Sequence, residues 1–319
     1  MRRLILQRMT LGVATLIAVS VIVFGAVSLL PGDVAEEILG QNATPEAVAA
    51  LRRGLGLDHP LPLRYLRWMA GLVTGDFGTS LAAGIPVAEL IGNRLRNTLW
   101  LSAYAALFSI PLSLALGILA ALYRGRLADR AINIVALAAI SLPEFLIAYG
   151  LIFLVAVSLG WLPSIAKVNV DRGLGERLYR TTLPVLALTL GVAAHIIRMT
   201  RTAIVDVLAA PYIEMAHLKG LRPHVVVLHH ALPNALAPIL NVVALNLAYL
   251  VVGVVIVEQV FAYPGLGQLL IDSVSKRDLP VVQATSLIFA SAYVTLNMAA
   301  DLAAIAADPR RRLRAEAGT

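Results

Sequence analysis

Cysteine is absent from all 319 residues, which excludes disulfide staples, thiolate catalysis and cysteine-ligated metals. Charge is scarce as well. Asp, Glu, Lys and Arg make up 14% of the chain while 59% is hydrophobic, against about a quarter charged and about half apolar in a soluble domain. Lysine occurs only at Lys167, Lys219 and Lys276, each preceded by a residue other than glycine. A Walker A loop needs a Gly-Lys pair to cradle phosphates, so this chain is not expected to hydrolyse ATP. Neither H-E-x-x-H nor G-x-S-x-G occurs, which removes the zincin and serine-hydrolase readings. His217, His224, His229 and His230 crowd one segment. The adjacent pair would sit about 100° apart on a helix and could not chelate from one face, so no metal site is expected.

What is abundant is uninterrupted apolar sequence. Charge-free runs cover 9–32, 97–123, 131–143 continuing past Glu144 to 166, 181–197, 231–257 and 279–300. Crossing a bilayer takes about 20 helical residues, so the sequence predicts an all-α integral membrane protein of about six transmembrane helices. The 181–197 run is the shortest, with Arg180 or Arg198 as snorkelling ends. The first run exceeds a signal-peptide core and no A-x-A site lies directly after it, so an uncleaved span is expected. Lys and Arg concentrate in short cytoplasmic loops. Fourteen of the 26 basic residues fall on one side if both termini are inside, giving an N-in/C-in expectation. The pI near 10 is then a matter of topology and does not imply nucleic acid. The expected organisation is 1–30 as N-terminus and first span, 31–96 as an external region with short helices, 97–307 as the membrane core, and 308–319 as a cytoplasmic tail. Within the external region Thr44, Pro45 and Gly54 have the residue types of a helix cap, first position and end.

Inside the core, 198–235 is a polar loop between two apolar runs. Pro211 suits the first turn of a helix and Gly220 the left-handed residue that ends one. Residues 211–219 mix Tyr212, Ile213, Met215, Ala216 and Leu218 with Glu214, His217 and Lys219. Such an amphipathic helix fits either a groove on a partner or the lipid surface. Glu144 lies fourteen residues beyond Arg130, about 21 Å into the membrane if helical. A carboxylate there lines a wet cavity or braces the bundle through hydrogen bonds. Pro143 before it should bend the helix, with Ser141 and Phe145 alongside. Asp301 is placed to answer Arg198 or Arg201, and Asn241, Asn246 and Asn297 to bond between spans. Pro264-Gly265-Leu266-Gly267 breaks the chain outside the fifth span, as an ordinary turn or the start of a short surface helix.

Many of these landmarks fall into one pattern: Pro31-Gly32-Asp33, G-L-D-x-P-L at 56–61, G-D-x-G-x-S at 75–80, and S-x-P-x-F at 141–145. Arg198 and Arg201 form R-x-x-R. Glu214 and Ala216 are followed by Gly220 and Leu232-Pro233 at the spacing of an EAA loop. Lys219-Gly220-Leu221, Asn234-Ala235, Glu258-x-x-Phe261, Pro264 to Gly267 and Asp308-Pro309-Arg310 complete it. Over nearly its whole length the chain resembles the B-type permease of the dipeptide/oligopeptide/nickel ABC importer family. Two departures are Val34 for a proline after P-G-D, and His217 for an arginine, which removes a permanent charge from the docking surface.

The resemblance implies a type I ABC importer permease in a bacterial inner membrane, forming half of a pore with a C-type permease. Two ATPase subunits would carry ATP and Mg, and an external binding protein would deliver peptides or related solutes. It implies that Tyr212 to Lys219 and Gly220 form the coupling helix, supported by Arg198, Arg201, Leu232, Pro233 and Asn234. Ser141, Pro143, Glu144 and Phe145 would line the path, and Glu258, Phe261, Pro264, Gly265 and Gly267 would meet the binding protein. The rival reading is an ion-coupled secondary transporter using Glu144.

Overall fold

The computed structural model describes residues 2–29, 34–54, 56–168 and 173–307. Pro31-Gly32-Asp33, Asp308-Pro309-Arg310 and the tail lie outside them. Thirteen helices are formed among the described residues, with no strand: α1 Arg2–Ser28, α2 Val34–Leu39, α3 Pro45–Gly54, α4 Leu61–Thr74, α5 Val87–Leu122, α6 Leu127–Ser141 and α7 Glu144–Leu151. They continue as α8 Leu174–Leu208, α9 Pro211–Leu218, α10 Pro223–Val225, α11 Leu232–Val260, α12 Leu266–Ser275 and α13 Leu279–Ala307, with π-helical turns at Ile152–Ser158 and Val226–Ala231.

Five helical stretches among the described residues are long and apolar enough to cross a membrane, and α6 with α7 makes a sixth if that bent pair is one span. The expected count of about six stands on that pair. The bend expected at Pro143 is a sharp one: the axis turns by 111° between Ser141 and Glu144. Pro143 has no N–H for the helical ladder, and it drives Leu142 to an extended conformation, φ −99° and ψ 136°. The 181–197 run is not a short span with charged ends. It is the middle of the 35-residue α8, about 52 Å long at 1.5 Å per residue, and Arg180 lies inside it, paired with Glu176 at 2.9 Å.

The described residues form two compact units, those within 2–12, 99–263 and 292–307 in one and those within 13–98 and 264–291 in the other. The first is organised on α8, whose buried face includes Leu183, Val185, Leu188, Ala194, Ile196 and Ile204. Small residues bring a neighbour close. A Cβ on Gly117 of α5 would fall 2.7 Å from Thr200 Cβ and 3.0 Å from the Ile197 carbonyl oxygen. Below that contact Ala121, Ile204, Val227, Ala231, Ala235 and Ile239 close a continuous apolar cluster. Asn246 is buried, and its amide donates to the Val242 carbonyl one turn back at 2.8 Å; the bond is made within α11, where an inter-span bond was expected.

The second unit packs Val87 and Ile91 against Leu266, Leu269, Val281 and Ala284. Asp278 organises its loop, accepting from Ser80 Oγ and from the backbone N–H groups of Leu81 at 3.0 Å and Ala82 at 3.3 Å. Ser80 of the G-D-x-G-x-S motif therefore has a structural employment. Thr44 accepts from the Ala47 N–H at 3.3 Å, at the head of an α3 that starts at Pro45.

Candidate coupling helix and translocation site

Residues 209–221 are set by local rules. Two residues, Ala209 and Ala210, join α8 to α9, with the Ala210 N–H donating to the Val207 carbonyl at 3.0 Å and the Ile213 N–H to Ala210 at 3.0 Å. At the far end Gly220 takes φ +75°, which lets the Leu221 N–H reach the Ala216 carbonyl at 3.3 Å and the chain reverse. Ile213 and Ala216 are buried against Leu208, Ala210, Leu221 and Val226. Tyr212, Met215 and Leu218 are 48%, 56% and 75% exposed, and Glu214, Lys219 and Gly220 are exposed with them. The greasy stripe foreseen on α9 is thus divided: a narrow one holds the helix to its own chain, and a wider one is left uncovered. The His217 side chain lies outside the described residues.

Arg201, on the buried side of α8, is bidentate with Asp129 of α6: Nε donates to Oδ1 at 2.6 Å and Nη2 to Oδ2 at 2.8 Å. The Gly125 N–H at 2.9 Å and the Asn133 amide at 2.7 Å supply two further donors. Each carboxylate oxygen thereby accepts two bonds, which is what a buried carboxylate requires. Asp129 was missing from the sequence reading; its signal is an acidic residue among Arg124, Arg126 and Arg130 in the first turn of a helix. Asp301 answers neither Arg198 nor Arg201. It pairs with Arg8 at 2.6 Å, while Arg198 is exposed. Leu232 is half-buried, Pro233 and Asn234 are exposed, and Asn234 donates to the His230 carbonyl at 2.8 Å.

Glu144 opens α7 directly after the 111° break, next to Pro143. Its carboxylate oxygens lie 3.1 and 3.2 Å from where a Cβ on Gly253 of α11 would sit, and Oε1 lies 3.6 Å from that of Gly191 of α8. Gly253 therefore leaves room that a side chain would take from the carboxylate, while an added Cβ on Gly191 would make ordinary van der Waals contact with it. Glu144 and Phe145 are exposed, and Ser141, also exposed, donates back to the Leu137 carbonyl at 2.8 Å. Beside α6, Leu112, Leu116, Val135, Ala139, Leu190 and Ile197 help line an apolar cavity of about 310 Å³.

Glu258 and Phe261 are fully buried, so they do not offer side chains to a binding protein in this conformation. They shape the end of α11: the Tyr263 N–H donates to the Glu258 carbonyl at 2.9 Å, and the Ala166 N–H to Phe261 at 2.8 Å. Burial pushes the Tyr263 phenol up to about 12, with a hydrogen bond from Arg177 pulling the other way. Arg177 also stacks 4.3 Å from the Trp100 ring centroid. In the other unit Gly265 and Gly267 are buried and Pro264 half-buried. The Pro264 carbonyl accepts from Asn97 at 2.9 Å, and the Leu266 N–H donates to Thr98 at 2.7 Å. The motif is a packed corner that starts α12. Among the described residues no three His, Cys, Asp or Glu side chains are grouped to hold a metal ion.

A multi-spanning helical chain with a polar, partly uncovered helix between two long spans is the build of a transport permease. Residues 113–313 match the family described as binding-protein-dependent transport system inner membrane component, and residues 1–102 match the N-terminal component of the same systems. The chain belongs to this family: it is a transmembrane permease subunit of an ABC importer, in which separate subunits hydrolyse ATP. It is 36% identical to a probable peptide ABC transporter permease, y4tP, of Sinorhizobium fredii, covering 97% of this chain and 98% of that one. It is 38% identical to the glutathione transport system permease protein GsiC of Salmonella paratyphi A, covering 97% and 99%. Among solved structures, a chain of the MetNI methionine ABC transporter in an inward-facing conformation matches with a TM-score of 0.54 and 21% identity, over 69% of this chain and 96% of that one. The match carries the fold. The ion-coupled alternative finds no support in any of these likenesses.

Proposed function

We propose that the chain is the B-type half of a heterodimeric pore, with both termini inside a bacterial inner membrane, and that it imports peptides or related small solutes handed over by an external binding protein. The cargo class is supported by the peptide and glutathione transport named for its relatives. The partners in this reading are a C-type permease and two ATPase subunits, which carry ATP and Mg. Alternating access then follows: the ATPases close, α9 moves with them, and the two-residue joint passes the displacement to α8. Arg198, Arg201, Leu232, Pro233 and Asn234 support that loop, while Ser141, Pro143, Glu144 and Phe145 border the path. Pro264, the half-buried member of its corner, and the exposed loops beside it are where the binding protein would meet this chain.

One observation carries the reading, namely the uncovered Tyr212, Met215 and Leu218 beside the packed Ile213 and Ala216. Three large apolar side chains on an eight-residue helix suit a groove on a partner. The test replaces Met215 and Leu218 by Asp, or Gly220 by Val, whose β-branch is strained at φ +75°. The reconstituted complexes should keep helical content yet lose cargo-stimulated ATP hydrolysis. Wild-type stimulation in all three variants would reject α9 as the coupling helix.

A further inference from the structure

Glu144 is seated among small residues. Glycine inside a helix costs about 1 kcal/mol relative to alanine, yet Gly191 in α8 and Gly253 in α11 both face this one side chain, and an added Cβ on Gly253 would press on both carboxylate oxygens at 3.1 and 3.2 Å. No hydrogen bond or ion pair within the chain engages the carboxylate among the described residues, and it remains exposed.

The break leaves the local charge to Glu144. A helix end carries roughly half an elementary charge, negative at the C-terminus and positive at the N-terminus. The C-terminal end of α6 and the N-terminal end of α7 meet here within three residues, so their partial charges roughly cancel and the full charge of Glu144 remains. Pro143 cannot donate to the last carbonyls of α6. The carboxylate and the last carbonyls of α6 gather acceptors around one full negative charge, beside the first N–H groups of α7. With three N–H donors and one positive charge, a primary ammonium satisfies both kinds of acceptor at once; a single carboxylate is too few ligands for a divalent metal.

We infer that Glu144, seated between Gly191 and Gly253 at the α6–α7 break, reads a primary ammonium group on the cargo as it passes, and so selects for solutes that carry one. This rests on the proposed reading of the chain as half of a pore. Ammonium recognition is favoured over a fixed cation from the second permease because broken helices with freed backbone groups are where transporters hold small charged solutes.

Two measurements test it. In proteoliposomes holding the whole importer, uptake of trialanine and of N-acetyl-trialanine is compared, each at saturating loaded binding protein, for wild type, Glu144→Gln and Gly253→Ala. The preference of the binding protein is common to all three and cancels between them. The free-amine to acetyl ratio should fall about tenfold in Glu144→Gln, the scale of one lost charge pair at contact distance in a water-filled path, and by a smaller factor in Gly253→Ala.

The second measurement uses the absence of cysteine from the chain. A thiol placed by Phe145→Cys should react faster with the ammonium reagent aminoethyl methanethiosulfonate than with its sulfonate analogue. Glu144→Gln should shrink that ratio about tenfold, again the scale of one lost charge pair. If both ratios match wild type, or if the thiol reacts with neither reagent, the inference is overturned. A reagent ratio that falls while the uptake ratio holds also overturns it and assigns the carboxylate to a fixed cation on the second permease. Should Glu144→Gln fail to assemble, Gly253→Ala with a wild-type uptake ratio overturns it too. Absence of ATP-dependent uptake of either peptide by the wild-type assembly would instead strike the pore reading, and the thiol ratios would still report on the carboxylate.

Discussion

Arg201→Ala is the most informative perturbation of the α6–α8 contact. Asp129 is nearly inaccessible, its side chain 6% exposed, and it receives four donors, two of them from Arg201 at 2.6 and 2.8 Å. Removing one member of a buried pair costs about 3–5 kcal/mol because the other charge is stranded. Here the Gly125 N–H and the Asn133 amide stay in place, which argues for the lower end, about 3 kcal/mol. Arg201→Lys keeps the charge but has no planar fork to bridge both oxygens, and should lose about half as much. Charge reversal makes a sharper test: Asp129→Arg with Arg201→Asp should not recover stability, since the remaining two donors would then point at a guanidinium. The assay is thermal unfolding of the purified assembly with transport measured in parallel. The expected order is wild type, Arg201→Lys, Arg201→Ala, with the reversal no better than Arg201→Ala. A reversal that restores wild-type Tm would show the pair to be a simple charge contact and refute the four-donor reasoning.

Other outcomes are open to direct measurement. Gly117→Ala places a methyl 2.7 Å from Thr200 Cβ; it should cost about 1–3 kcal/mol through helix displacement, read as a lowered Tm, and an unchanged Tm would show that α5 and α8 can part freely. A cysteine at Ala49 should be labelled by an impermeant reagent from outside and one at Leu221 only after permeabilisation; the reverse pattern would overturn the inner placement of α9 and the coupling scheme with it.

The legible parts of this chain are those governed by neighbours in sequence. Pro211 and Gly220 fix both ends of α9, and Thr44 with Pro45 begins α3, because caps and breakers act over one turn. Asp129 was hard to read, since its partner lies 72 residues away and its local signal, an acid among arginines, does not name that partner. Pro143 announced a bend, but the angle is set by what α7 packs against, which no periodicity reports. Glu258 and Phe261 show a different gap. A motif says which residues recur together; whether they face a partner or the interior is decided by packing, and here they face inward. The two glycines around Glu144 did leave a signal, as isolated breakers inside apolar helices, though only the folded bundle shows that Gly253 lies tight against the carboxylate and Gly191 in ordinary contact with it.

The α6–α7 break has a consequence for insulation. A continuous helix crossing lipid hides all of its backbone polarity, whereas this one stops with carbonyls unpaired at its end. Those groups need water or a covering neighbour, and either choice places polar matter at a depth where hydrocarbon would otherwise block protons and small ions. The electrical tightness of the membrane around this chain is therefore a property of the assembled transporter, and a permease expressed without its companions should leak.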